Sequence, residues 1–107
     1  MFRHVVMFEW AEGVTDTQKR AVRDAVDTLA GQIPHVRAYR YGDDAGLGPD
    51  NFDFVVVADF DDAAGYVAYR DHPVHQAVVT NLIRPLITGR AALQHEWSAA
   101  LPPDLPG

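Results

Sequence analysis

Two segments of this chain are apolar at both odd and even positions, and this pattern restricts the fold most strongly. Residues 2–10 and 52–60 both have the Val- and Phe-rich composition of β-strands. In the first segment, Val5 and Met7 point to one face of a sheet, whereas Val6 and Phe8 point to the other. A strand of this kind needs cover on both faces, so the sequence predicts that something packs on each side of the sheet.

The order of the predicted elements indicates the topology. A strand at 2–10 leads to a helix that begins with the capping-box pair Thr15 and Gln18. The elements that follow are a strand at 36–41, a loop at 42–51, a strand at 52–60, helical segments at 61–70 and from Pro73 to near Pro85, a turn at 88–90 and a strand at 91–97. This order predicts an α+β, ferredoxin-like split β-α-β fold with one antiparallel four-stranded sheet and helices on one face. Connection rules place the first strand between the third and the fourth.

The face of the sheet without helices has a consequence for assembly. Left uncovered, the second apolar side of the strands at 2–10 and 52–60 would be a large exposed patch. We expect a second copy of the chain to cover it, sheet against sheet, in a two-fold homodimer. A monomer with a moderately adhesive surface is the alternative.

The composition excludes several classes of function. The 107 residues suffice for one domain, residues 1–97, followed by a Pro- and Ala-rich tail at 98–107 that we expect to be flexible. The absence of cysteine rules out disulfides, thiolate metal sites and a cysteine nucleophile. Nine Lys and Arg against 15 Asp and Glu give a net charge of −6, which disfavours nucleic acid as a partner. Without an export leader or a spanning segment, we expect a cytoplasmic protein with no membrane partner.

Four stretches of the sequence resemble the stress-responsive A/B barrel (Dabb) family. They are His4-Val5-Val6-Met7-Phe8, Ile33-Pro34-x-Val36, Phe52-Asp53 and Tyr69-x-x-His72-Pro73-x-His75-Gln76. The resemblance extends over about residues 2–97 and implies a homodimeric α+β barrel. One branch of the family, the plant olivetolic acid cyclase, performs an aldol-type cyclisation of a linear polyketide without cofactor or metal. A tyrosine and the second histidine of the Y-x-x-H-P-x-H motif carry that chemistry, and they match Tyr69 and His75 here.

The residue types themselves fit an acid–base site. His75 shares the apolar face of its helix with Val79, where loss of water favours the neutral imidazole that can accept a proton. We expect His75 to act as a general base on an acidic C–H between two carbonyls, and Tyr69 to donate a hydrogen bond to the developing oxyanion. On the first strand, His4 shares a face of the sheet with Val6 and Phe8, and Glu96 on the last strand has the parity to lie beside His4 and orient its ring.

The remainder of the expected pocket is apolar. In addition to His4 and Glu96, the predicted substrate-binding residues are Val6, Phe8, Val26, Phe54, Val56 and Val79. Val26 and Phe54 stand where the resemblance to the cyclase implies a pocket tyrosine and a pocket histidine, so this pocket has fewer groups to fix a polyketide's carbonyls. We expect a small apolar, aromatic or polyketide-like ligand and no cofactor. Three arginines could hold a substrate carboxylate, although a solvated position is the favoured interpretation for each: Arg37, Arg40 and Arg70.

Other interpretations of the same residues stay open. His75 fits equally a buried histidine with one satisfied hydrogen bond, in a protein that binds a small molecule or protects against stress without turnover. His72, next to Pro73, fits a helix cap. A metal site of His72 and His75 with Asp71 nearby is disfavoured, because Pro73 falls between the histidines and no cysteine completes a ligand set. A cofactor-independent monooxygenase of the related dimeric barrels is a third alternative, which the H-P-x-H element disfavours.

Overall fold

A computed structural model describes residues 1–98 of the chain, and its fold is the ferredoxin-like α+β fold that the order of elements predicts. The elements are β1 (Phe2–Trp10), α1 (Asp16–Gln32), β2 (Ala38–Asp43), β3 (Phe54–Phe60), α2 (Ala63–Asp71), α3 (Pro73–Val78), a π-helical turn (Val79–Ile83), a 3-10 turn (Arg84–Leu86) and β4 (Ile87–Glu96). The four strands form one antiparallel sheet in the order β2-β3-β1-β4, so β1 lies between β3 and β4 as predicted. Apart from Ser98, the predicted tail at 98–107 lies outside the described residues. None of the helices in the described part of the chain has the length and apolar character needed to cross a bilayer.

The alternation along β1 separates the two faces of the sheet. His4, Val6 and Phe8 are buried on the face that the helices cover. Val5 and Met7, on the opposite face, are only half-buried. The interior of the chain therefore lies between the helices and one side of the sheet, and the other side is left partly open.

Helix α1 begins as the sequence predicts. The Gln18 N–H donates to the Thr15 hydroxyl at 3.2 Å, and the Thr15 N–H donates to the Gln18 side-chain oxygen at 2.8 Å. This reciprocal pair satisfies two N–H groups that a helix start leaves without partners. Val22, Val26 and Leu29, spaced by four and three residues, form the buried face of the helix. The cap thereby fixes the start of the helix whose last turns reach the candidate site.

Strand β4 begins at Ile87, four residues earlier than predicted, and includes the residues 88–90 that the sequence indicates as a turn. The reason is the role of Gly89. Its backbone lies opposite Glu9, and a Cβ at Gly89 would lie 3.2 Å from the Glu9 Cβ. Gly89 therefore allows two strands to approach each other closely and does not reverse the direction of the chain. The register shift beside Glu9 leaves Thr88 as an extra residue, which makes a β-bulge at this end of the sheet.

Strands β2 and β3 each begin two residues later than predicted. Before β2, the Val36 N–H donates to the Ile33 carbonyl at 3.2 Å and closes a turn. Before β3, the Asp53 carboxylate accepts the Trp10 N–H at 2.8 Å, where a continuing ladder would use a backbone carbonyl. A turn before β2 and a side-chain acceptor before β3 thus take the place of regular backbone pairing at these two points.

The helix predicted from Pro73 to near Pro85 consists of three pieces. Helix α3 is followed by a wide π-helical turn and then by a 3-10 turn that contains Pro85. π-helical turns are rare overall, but many of those that do occur lie at functional sites. This one carries Val79 and Ile83, which both face a cavity between the helices and the sheet.

Removal of the α1 cap tests how strongly the sequence signal at Thr15 stabilises the fold. We expect Thr15→Ala to lower the free energy of unfolding by about 1 kcal/mol, because it leaves an N–H of the first turn without its acceptor. Thr17→Ala, at an exposed position in the same turn, is the matched control and should have an effect of at most about 0.5 kcal/mol. Urea unfolding followed by circular dichroism measures both. Equal losses in the two variants would contradict a specific role for the cap.

Candidate functional site

A cavity of about 360 Å³ lies between the helices and the covered face of the sheet. One wall is apolar and consists of Val6, Phe8, Val26, Leu29, Val56, Val79, Ile83 and Ile87. The polar lining consists of His4, Tyr39, Tyr66, Tyr69, Arg70, His75, Gln76, Arg84 and Arg90. The volume of the cavity falls in the range of small-molecule sites, which runs from about 300 to 1,000 Å³.

Most of the residues predicted from the sequence line this cavity. They are the two candidate catalytic residues Tyr69 and His75, the strand histidine His4, and the apolar residues Val6, Phe8, Val26, Val56 and Val79. Two predicted residues, Glu96 and Phe54, do not line it. The sheet register and the packing of the core explain these two exceptions.

Glu96 is not the partner of His4. The pairing of β1 with β4 sets His4 opposite Gln94 and Phe2 opposite Glu96, so the prediction has the correct face but a register wrong by two residues. The Gln94 amide nitrogen lies 2.8 Å from Nδ1 of His4. Glu96 is exposed and lines a separate surface depression together with Asp61.

Phe54 is a core residue rather than a pocket residue. Its side chain is only 2% exposed, and its ring is stacked with that of Phe8 at a centroid distance of 6.5 Å. The rings of Trp10 and Tyr41 lie at 5.8 and 6.2 Å from it. This aromatic cluster fills the end of the interior near the start of β3, so Phe54 does not reach the cavity.

His75 is oriented by the end of the preceding helix. Its Nδ1 lies 3.0 Å from the Arg70 carbonyl oxygen, which can only accept a hydrogen bond. The proton of the neutral ring is therefore on Nδ1, and Nε2 is left with a free lone pair. Burial is the main cause that lowers the pKa of His75 below its ordinary value of 6.5, against the Arg70 hydrogen bond, which raises it. His75 is thus neutral at neutral pH and able to accept a proton.

His4 has the opposite tautomer. The Gln94 amide donates to Nδ1, so the proton of the His4 ring is on Nε2. The side chain is 4% exposed, and burial lowers its pKa to about 4. The ring packs against Tyr66 at 4.9 Å between centroids. His4 therefore stays neutral and presents an N–H group, whereas His75 presents an acceptor nitrogen.

Two tyrosines share a hydrogen bond beside these histidines. The hydroxyl oxygens of Tyr69 and Tyr39 are 3.0 Å apart, and the Tyr69 ring lies 4.3 Å from the His75 ring. Burial raises the pKa of Tyr39 to about 12 and raises that of Tyr69 as well, so both phenols keep their protons at neutral pH. When Tyr39 donates to Tyr69, the Tyr69 proton is free for a ligand.

Several residues at the cavity are not among those predicted from the sequence. Tyr39 on β2 and Arg90 on β4 line it, and Gln94 contacts His4; both Gln94 and Arg90 share the parity of Glu96 on the last strand. The parity of β4 thus marks these two residues as candidates, but only the register shows which of them meets His4. Tyr66 is a further pocket residue, on the helix that carries Tyr69.

His72 has the capping role that its position next to Pro73 predicts. The Val74 N–H donates to Nδ1 of His72 at 3.2 Å, at the start of α3. The ring thereby stabilises the helix start in the way that a capping side-chain oxygen does. Within residues 1–98, no group of three His, Asp or Glu side chains is arranged to hold a metal ion.

The lowered pKa of His4 predicts a pH dependence of stability. Well above pH 6.5, His4 is neutral in both the folded and the unfolded chain, so its titration does not change the free energy of unfolding. Between pH 6.5 and about 4, the unfolded chain takes up a proton that the folded chain resists, so the free energy of unfolding falls as the pH falls. His4→Asn keeps an acceptor for Gln94 and removes the titration, so it should flatten this part of the profile.

Urea unfolding between about pH 7 and pH 5 measures the effect. His35→Asn, at an exposed position outside the cavity, is the control and should leave the profile of the original protein unchanged. A profile that is equally steep in His4→Asn and in the original protein would show that His4 is not the group that titrates.

Comparisons with known proteins agree with this fold. Residues 2–96 match the model of the stress responsive A/B barrel domain (Dabb). An uncharacterised protein of Streptomyces coelicolor is 33% identical over 81 residues, which are 74% of this chain and 84% of that protein. A crystal structure of a dimeric ferredoxin-like protein of unknown function from Thermobifida fusca is 40% identical with a TM-score of 0.83, over 90% of both chains. The hydroxynitrile lyase of Passiflora edulis, 16% identical, shares the fold with a TM-score of 0.82 over 94% of this chain and 96% of its own. The chain belongs to the stress responsive A/B barrel domain family.

Proposed function

We propose that this protein binds a small aromatic or polyketide-like molecule in the cavity and catalyses aldol-type acid–base chemistry on it without a cofactor. The observation that carries the proposal is the fixed tautomer of His75. Its Nδ1–H is engaged by the Arg70 carbonyl, which leaves Nε2 as a base in a partly desolvated setting next to Tyr69. A base with its pKa near the working pH contributes roughly 10²–10⁴-fold to such a reaction.

A single proton would pass from the ligand to Nε2 of His75 and back. In the forming direction, Nε2 takes a proton from a carbon between two carbonyls, the resulting enolate attacks a further carbonyl of the same ligand to form the C–C bond, and the alkoxide that results takes the proton back from Nε2. In the cleaving direction, Nε2 takes the hydroxyl proton of a β-hydroxy ketone, the C–C bond breaks to give a carbonyl compound and an enolate, and Nε2 returns the proton to the enolate carbon. A cavity that folds the bound ligand brings its two reacting carbons together and reduces the entropy cost of their encounter.

Two hydrogen-bond donors are available for the enolate oxygen. Tyr69 has a free proton whenever Tyr39 donates to it at their 3.0 Å contact. His4 has an N–H on Nε2, because Gln94 occupies Nδ1. Both donors are neutral and line a cavity partly shielded from water, where a hydrogen bond to a developing negative charge is stronger than in water.

A benzaldehyde-releasing assay tests this function. Mandelonitrile and 4-hydroxy-4-phenylbutan-2-one both give benzaldehyde when a base removes their hydroxyl proton, and its absorbance reports cleavage. We expect acceleration by the protein, a loss of about 10²-fold or more in His75→Ala, and a loss of about 10²-fold in Tyr69→Phe. Because the base must be neutral, the rate should rise with pH through the lowered pKa of His75, below 6.5.

The controls separate chemistry from folding. His35→Ala, at an exposed position outside the cavity, should keep full activity. His75→Ala should keep its melting temperature within a few degrees, because the partly exposed ring makes a single hydrogen bond to a carbonyl that Gln76 also contacts at 2.6 Å. Loss of activity together with unfolding would not support the proposal, and equal activity in His75→Ala and the original protein would refute it.

A binding protein without turnover is the second candidate, and the Tyr39–Tyr69 contact favours it. A tyrosine whose hydroxyl already has a partner fits a purely structural role. In that case, ligands would raise the melting temperature, whereas no benzaldehyde would form. His75→Ala would then alter ligand affinity or stability and have no rate to change.

We further propose that the protein is a homodimer, with the outer faces of two sheets packed against each other to give an α+β barrel. Support comes from the apolar side chains on the face without helices. Val5, Met7 and Val57 are half-buried there, and Leu93 is 62% exposed. Arg3 and Asp59 on the same face form a two-pronged ion pair at 2.7 and 2.9 Å, which neutralises both charges. The similar protein from Thermobifida fusca is described as dimeric.

Sedimentation equilibrium tests this arrangement. Leu93→Asp should convert the dimer to a monomer, because it puts a charge on the apolar face beside Val5. Leu47→Asp is the matched control. It makes the same substitution at a side chain that is 93% exposed in the loop between β2 and β3, and it should remain dimeric. A monomeric original protein at micromolar concentration would refute the dimer.

A further inference from the structure

Three arginines line the cavity, and they differ in their partners. Arg70 is held by Asp71, with Nε and Nη2 at 2.8 and 3.1 Å from its carboxylate oxygens. Within residues 1–98, Arg84 and Arg90 have no carboxylate within 4.0 Å. The other arginines that the sequence suggests for a substrate carboxylate, Arg37 and Arg40, do not line the cavity. Two guanidinium groups therefore stand at the cavity with their charge uncompensated by the part of the chain that the structure describes.

The position of Arg90 is set by the sheet. Arg90 pairs with Phe8 in the register of β1 and β4, so its side chain lies on the covered face, in line with Gln94. The β-bulge at Thr88 lies two residues before it, and bulges often re-aim side chains beside binding sites. Arg90 is exposed and yet lines the cavity, which places it at the rim. A residue held on a strand of the sheet is a firmer anchor than a residue on a loop.

The charge of Arg90 reaches both histidines of the cavity. It is among the causes that lower the pKa of His4 and of His75, after burial in each case. The guanidinium is thus near enough to influence a group bound between the two rings. The net charge of the chain is −6, so this positive rim is a local feature of the cavity rather than a property of the surface as a whole.

We propose that the ligand of this cavity carries a carboxylate, which the guanidinium of Arg90 binds at the rim with Arg84 as a second positive charge. This inference deepens the proposed function and rests on it, because it names the class of substrate that the same cavity takes. Arginine presents paired N–H donors that match the two oxygens of a carboxylate. The carbon skeleton of the ligand then lies against Val26, Val56 and Ile83. The substrate class is therefore a small keto or aromatic acid.

The cavity volume selects a carboxylate over a larger anion. About 360 Å³ accommodates one ring with a short side chain, at the lower end of the range for ligand sites. A nucleotide-bearing coenzyme would extend beyond it. Free phosphate is also an anion whose oxygens accept paired N–H donors from arginine, so the experiment includes it as a separate probe.

A matched pair of ligands tests the inference. 2,4-Dihydroxybenzoate and 2,4-dihydroxybenzamide have the same ring and hydroxyl groups, but only the first is an anion at neutral pH. We expect the benzoate to bind the original protein about 10-fold more tightly than the amide in a calorimetric or NMR titration at low salt. Arg90→Gln should remove this difference, whereas the affinity for the amide should change less than about 2-fold. Arg84→Gln should reduce the difference in part.

Arg20→Gln is the control, since it removes the same charge from an exposed position on α1 outside the cavity. It should leave both affinities unchanged. Equal binding of acid and amide by the original protein would overturn the carboxylate inference and leave the cavity as a ligand site. A benzoate preference that survives in Arg90→Gln would overturn it as well, as would inorganic phosphate that displaces the benzoate and binds more tightly. No binding of either compound would overturn the inference together with the proposed ligand site.

Discussion

The pairing of β1 with a strand on each side is the interaction on which the site depends. It fixes His4 opposite Gln94, and a slip of one residue would turn His4 to the other face of the sheet. A slip of two would bring a carboxylate, Glu96, beside the ring. A carboxylate would favour the charged imidazolium, whereas the neutral amide permits burial to lower the pKa of His4 to about 4. The backbone ladder therefore decides the protonation state of a side chain, and with it whether this histidine can serve as a neutral donor.

The break between α2 and α3 has a comparable role for His75. Pro73 has no N–H, and the next N–H, of Val74, is used by His72. The Arg70 carbonyl consequently has no backbone partner in the helix and accepts hydrogen bonds from His75 and Gln76 instead. The spacing of the Y-x-x-H-P-x-H-Q motif thus has a local physical explanation. Pro73 ends one helix, His72 caps the next, and the Arg70 carbonyl that they leave without a backbone partner sets the tautomer of the candidate base.

The sequence predicts the elements of the fold better than the contacts between them. Alternation in β1 and the capping box of Thr15 depend on residues close in the chain, and both agree with the structure. The choice between Glu96 and Gln94 depends on register, which parity alone cannot supply. Gly89 has the composition of a turn, but its small size serves the close approach of Glu9 from another strand. The Tyr39–Tyr69 contact joins residues 30 positions apart, and no local pattern indicates it.

Charge balance explains why the proposed proton transfer to His75 is compatible with a cavity that disfavours isolated charges. Creating an isolated charge there would be unfavourable, and burial accordingly lowers the pKa of both His4 and His75. In the proposed step, however, the proton passes from the ligand to His75, so an imidazolium and an enolate form together and the net charge does not change. The enolate oxygen meets donors that are already oriented, Tyr69 and His4, and needs no reorganisation of water. The cavity destabilises a histidine that carries an isolated positive charge. A proton transfer that creates an imidazolium next to an enolate avoids this cost, because the two charges stay in contact.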